Sequence, residues 1–204
     1  YNIRTSKKIK LLGLFIFVVI FILYVLGVSP SVYAGDSGDI ILAAWFGGVA
    51  HPPGYPLNAM IGWVFTHLPY NATIAFKANL MAAFLHAGVV VVTFLCAFKL
   101  TKNRFVALSS ALILAFNPLF WLYAHIIEVF QLNLLLVAIA VYFLIIWRDS
   151  FLRKKTKNVF IYISSFFLGL AVFHHHTSLL VIPAFLYLLI KTNKKVLNER
   201  LLLF

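Results

Sequence analysis

Apolar runs long enough to cross a bilayer recur along this chain, separated by clusters of lysine and arginine or by loops rich in glycine, proline and histidine. Crossing about 30 Å of hydrocarbon takes roughly 20 helical residues. A backbone in lipid must satisfy its own hydrogen bonds, so these runs can only be helices. With 63% hydrophobic and 11% charged residues and a mean hydropathy of +1.00, the chain carries more apolar surface than a soluble domain can bury. The expected class is an all-α polytopic membrane protein.

The basic residues supply the expected topology. Residues 1–10 carry Arg4, Lys7, Lys8 and Lys10 and are read as cytoplasmic. Later clusters comprise Lys99, Lys102 and Arg104, then Arg148, Arg153, Lys154, Lys155 and Lys157, then Lys191, Lys194, Lys195 and Arg200. These clusters hold 16 of the 17 lysines and arginines, all but Lys77. They fall on one side if about six spans lie at 11–28, 73–98, 105–123, 128–147, 158–174 and 176–190, and the positive-inside bias makes that side the cytoplasm. Residues 29–70 then form a first outer loop with interfacial helices, one over 57–69. The arms of the last hairpin reach only about 24 Å at 1.5 Å per residue. They cross part way, or the turn at His174-His175-His176-Thr177-Ser178 is itself helical. The run 11–28 exceeds the ~7–15 residues of a signal core, so it reads as a retained helix despite Val32-Tyr33-Ala34. A start at Tyr1 and an end inside an apolar stretch read as a piece of a longer protein forming a single membrane domain.

A net charge of +12 suggests nucleic acid only in a soluble protein; here it belongs to the connections between spans. Cys96 is the sole cysteine, which excludes an intrachain disulfide and any cysteine-based metal site. No internal repeat is visible.

This topology sends Asp36, Asp39, His51, His67, His125, Glu128, His174, His175 and His176 to the outer face and leaves Asp149 and Glu199 inside. Asp36 and Asp39 fit two readings. Asp36 suits the cap of a helix starting near Ile40, with Asp39 in the first turn. Either also suits a general base, since a carboxylate near the dielectric boundary accepts protons more readily. In His51-Pro52-Pro53-Gly54-Tyr55-Pro56, three prolines stiffen the backbone and Gly54 permits a reversal. That fits a rigid strap, or a device presenting His51 and Tyr55 at set depth. Glu128 at the outer start of a span is a helix cap or a functional acid. Adjacent histidines point about 100° apart on a helix, so His174 and His175 suit phosphate donors better than a metal site. His86 reads as a packed histidine, and the sequon at Asn71 sits too near the membrane to count.

The segments Gly35-Asp36-Ser37-Gly38-Asp39 and Gly48-Val49-Ala50-His51-Pro52-Pro53-Gly54-Tyr55-Pro56-Leu57 resemble the opening of the domain of unknown function 2723 family. Its animal member is the transmembrane protein 260 O-mannosyltransferase. Glu128-Val129-Phe130-Gln131-Leu132-Asn133 and the His174 stretch resemble later motifs, so the likeness covers roughly residues 10–190. It implies a GT-C-like membrane glycosyltransferase that takes a mannose-like sugar from a polyprenyl-phosphate carrier to a protein or glycan acceptor. The active face would be non-cytoplasmic, in a bacterial plasma membrane or endoplasmic reticulum. It implies Asp36 as first-choice base and Asp39 as second, where the family more often shows Glu. His51, Tyr55, Glu128, His174, His175 and Lys77 would bind the donor. No cofactor is firmly implied, and a divalent metal is compatible. A transporter, with charges near the midplane, and a non-catalytic assembly subunit are the competing classes.

Overall fold

Threonine, asparagine and proline set where several helices of this chain begin. The computed structural model describes residues 3–155 and 157–193, so Lys194, Lys195, Glu199 and Arg200 lie outside the described residues. Among the described residues every regular element is a helix. Helices α1 (Ile3–Val25), α4 (Ile74–Thr101) and α7 (Phe130–Leu152) contain stretches long and apolar enough to cross a membrane. The chain is an integral membrane protein.

Local chemistry explains the boundaries. Thr73 starts α4 by accepting the Phe76 N–H at 3.0 Å. Asn103 starts α5 (Arg104–Ala115) by accepting from Phe105 and Val106. The segment 105–123, expected as one span, is divided. Asn117 accepts the N–H groups of Leu119 and Phe120, and Pro118 opens a second short helix, α6 (Pro118–Tyr123). Proline has no N–H to donate to a continuing helix, yet suits the first helical position. Glu128 stands two residues before α7 instead of opening it.

The chain divides into two compact units, residues 1–135 and 136–204. In the first, α4 packs against both α1 and α5. Ala107, Ala111 and Ala115, four apart and fully buried, give α5 a stripe of methyl groups that allows close approach to α4. The Tyr24 hydroxyl donates to the Ala115 carbonyl at 2.9 Å, satisfying a group that the end of α5 leaves open. Leu11, Leu14, Phe15 and Ile22 on α1 stay exposed, as lipid-facing residues do. Between α1 and α4 lie α2 (Ser37–Phe46) and α3 (Pro56–Thr66), which pack on each other and on α4. They touch at Gly62, where a Cβ would lie 2.7 Å from the Ala44 Cβ.

In the second unit, Ala140, Leu144, Trp147 and Phe185 form a small core, and the Ser164 hydroxyl donates to the Ala140 carbonyl. Helix α8 (Val159–His174) leads into a 3-10 helix (His176–Val181) and then α9 (Ile182–Thr192). The His-Thr-Ser turn is thus itself helical.

Candidate active site

Asp36 occupies the N-cap position of α2, yet its side chain makes no cap hydrogen bond. The carboxylate is 63% exposed, and its Oδ2 lies 3.6 Å from His51 Nε2. Gly35 just before it adopts φ +82, a left-handed conformation that favours glycine. That turn brings the backbone beside Glu128: a Cβ at Gly35 would lie 3.7 Å from Glu128 Oε1.

Asp39, one helical turn on, is engaged differently. Its Oδ2 accepts from the backbone N–H of His51 at 2.7 Å and meets His51 Nδ1 at 2.9 Å. An ionised carboxylate only accepts, so Nδ1 carries a proton, and Nε2 is the ring nitrogen that faces Asp36. These two hydrogen bonds hold the Asp39 carboxyl below the usual carboxylate range.

The proline-rich loop supplies the other wall. Gly54 reverses the chain at φ +99, and its N–H donates to the His51 carbonyl at 2.9 Å. Tyr55 follows at φ +43, a conformation uncommon for a residue with a Cβ, and Pro56 opens α3 behind it. The buried Tyr55 ring meets the His51 ring edge-on, centroids 5.4 Å apart. Burial first, then the charges of Asp36 and Glu128, push its phenol upward and keep it a neutral donor.

Glu128 is 8% exposed. Burial raises its carboxyl above the ordinary range, and the neighbouring charge of Asp36 adds to the effect. Its loop is braced by Gln131, named above only as part of a motif, and by Asn79, absent from the sequence reading. Gln131 Oε1 accepts the Glu128 N–H at 2.9 Å while its Nε2 donates to the carbonyls of Tyr123 and Ile126. Asn79 Oδ1 accepts the Ile127 N–H at 2.8 Å. The signal that could have found Asn79 is an amide inside an apolar span, where a polar side chain is costly without a partner.

Asp36, Asp39, His51, Tyr55 and Glu128 therefore gather in the first unit. Lys77 is engaged elsewhere: its Nζ donates to the Leu68 carbonyl at 2.8 Å and sits 5.1 Å from the Tyr70 ring centre. His67 is stacked between Trp45 and Trp63. His86 bonds back to the Ala82 carbonyl inside α4, the packed role expected of it. His174 and His175 belong to the second unit. There His174 is buried at the end of α8, and His175 Nδ1 faces the Thr177 hydroxyl at 2.7 Å. Burial, then His176, holds the His175 imidazole below its usual range. Among the described residues no group of three or more His, Cys, Asp or Glu is arranged to hold a metal ion.

Residues 36–198 match the family described as "Protein O-mannosyl-transferase TMEM260 N-terminal domain". The chain belongs to this family. The cluster just described, from Asp36 to Glu128, lies within the matched stretch. The chain is 31% identical over 183 residues to "Protein O-mannosyl-transferase tmem260" of Dictyostelium discoideum, covering 84% of this chain and 22% of that protein. It is 29% identical over 187 residues to "Protein O-mannosyl-transferase TMEM260" of Mus musculus, covering 90% of this chain and 26% of that protein. The chain thus spans about a quarter of the length of these curated relatives. No solved structure matches it significantly.

Proposed function

We propose that this chain forms the catalytic end of a GT-C-type membrane glycosyltransferase. It would move mannose, or a sugar like it, from a polyprenyl-phosphate carrier to an acceptor hydroxyl on a protein or glycan at the non-cytoplasmic face. The names of both relatives support the sugar and the reaction class. The observation that carries the reading is the different engagement of two neighbouring carboxylates. Asp39 Oδ2 holds His51 through two hydrogen bonds, whereas Asp36 is uncapped, more exposed and beside Nε2 of that histidine.

Asp36 takes the proton from the acceptor hydroxyl as its oxygen attacks the anomeric carbon. The bond from that carbon to the carrier phosphate breaks, and the phosphate oxygen leaves with the electron pair. His51 Nε2 is placed to receive the proton from Asp36, and Asp39 stabilises the imidazolium that results. Tyr55 is a neutral hydrogen-bond donor to the phosphate, and Glu128, raised by burial, takes up a proton more readily than an exposed carboxylate and so repels the phosphate less. One displacement at the anomeric carbon inverts its configuration.

The test uses the full-length protein in membranes with labelled polyprenyl-phosphate mannose and an acceptor protein. Transfer that disappears in Asp36→Asn at normal expression is the expected result. Undiminished transfer by that variant removes Asp36 as the base.

A further inference from the structure

Three consecutive carbonyls just after α1, those of Ser29, Pro30 and Ser31, are all held by side chains from the first turns of α4. Asn79 Nδ2 donates to Ser29 O at 2.9 Å and to Ser31 O at 3.3 Å, and the Thr73 hydroxyl donates to Pro30 O. The same Asn79 amide receives the Ile127 N–H on its oxygen, 48 residues away in sequence. One fully buried side chain thus grips two loops. The first runs on to Gly35 and Asp36; the second continues directly into Glu128. The loops also meet directly, where the Ser29 N–H donates to the His125 carbonyl at 3.1 Å.

We infer that Asn79 is a positioning residue that sets Glu128 against Asp36, an inference that rests on the glycosyltransferase reading for its catalytic meaning. A polar side chain in an apolar helix can be satisfied cheaply by its own helix, as His86 and Thr101 are through the carbonyls four residues before them. Asn79 instead directs every bond outward to irregular backbone that would otherwise lie unpaired in a dry setting. The task needs donors and an acceptor on one short, planar group. Leucine has neither, and aspartate keeps the acceptor but sets a negative charge against two carbonyls. Misplacing a catalytic group by about 1 Å costs on the order of a hundredfold in rate, so the grip acts on turnover more than on donor binding.

The experiment compares full-length wild type with Asn79→Leu and Asn79→Asp by hydrogen exchange and by transfer kinetics. Exchange is read in peptides covering 28–36 and 124–131. Asn79→Leu is expected to raise exchange in both peptides together. Asn79→Asp is expected to raise it more in 28–36, because its carboxylate can still accept from Ile127. Turnover should fall about 10- to 100-fold with KM for the donor nearly unchanged. In an Glu128→Gln background the further loss on adding Asn79→Asp should shrink, since residues acting through one another are not additive. Exchange that changes in neither peptide or only one under Asn79→Leu, or losses that multiply independently of Glu128, overturns the inference. Should Asn79→Leu fail to fold, the Asn79→Asp exchange pattern alone decides it. A wild type that transfers no sugar sinks the proposed function, and the exchange result still decides whether Asn79 couples the loops.

Discussion

Asp39 holds His51 through two hydrogen bonds to one carboxylate oxygen, at 2.7 Å from the backbone N–H and 2.9 Å from Nδ1. Side chain and main chain of the histidine are gripped together, so ring orientation and tautomer are set by the same carboxylate. Asp39→Asn removes the charge and allows the opposite tautomer. Transfer should fall by about 10- to 100-fold, less than the ~10²–10⁴-fold loss expected for Asp36→Asn. Turnover of the two full-length variants, measured side by side, checks the ranking; an equal or larger loss in Asp39→Asn would make Asp39 the base.

The pH dependence of stability should report on Glu128. Its native carboxyl is raised, chiefly by burial and then by Asp36. A raised acid contributes stability that is present below its unfolded value, near 4.3, and is lost as pH rises through the native value. Glu128→Gln copies the protonated form and escapes that loss. The melting temperature of the variant should therefore exceed that of wild type at pH 7, with the gap closing toward pH 4. A gap that stays constant with pH contradicts a raised Glu128.

Asp39 should show the opposite sign. Its native carboxyl is lowered by His51, so its contribution is present above the ordinary carboxylate value. That contribution is lost as pH falls through the lower native one. Melting curves of wild type and Asp39→Asn should converge on acidification and separate as pH rises past about 4.

Packing around His125 makes a fourth point testable. A Cβ at Gly27 would fall 2.5 Å from His125 Nε2, too close for any real contact. Gly27→Ala should cost about 1–3 kcal/mol, seen as a lowered melting temperature. Adding His125→Ala should recover part of it, because the obstructing ring is gone. A Gly27→Ala protein as stable as wild type would mean that the ring is free to move aside.

Sidedness can be read by labelling. Gly48 is exposed, with no atom within 4 Å of a Cβ placed there, and Lys155 is exposed beyond α7. In a Cys96→Ser background, Gly48→Cys should react with an impermeant reagent from the non-cytoplasmic side, and Lys155→Cys only from the cytoplasmic side. Labelling of both from one side contradicts the expected topology.

Hydropathy, basic clusters and caps are local properties, so the chain announces them without reference to its fold. The membrane class, the all-helical character and the helix start at Asn103 are carried by residues within a turn of where they act; Asn117-Pro118 is equally local, but hydropathy joins 105–123 into one apolar span and hides the division there. The loop bearing Asp36, Asp39 and His51 is legible for the same reason, since its partners lie within about fifteen residues. Periodicity is silent on which carboxylate is left free, because that depends on where a side chain twelve residues away comes to rest. The approach of Glu128 to Gly35, and the hold of Asn79 on Ser29, Ser31 and Ile127, exist only after α1, α4 and α5 have packed. Hydrogen bonds between loops need their backbones aligned to within a few tenths of an ångström, and only the tertiary arrangement of the helices decides that.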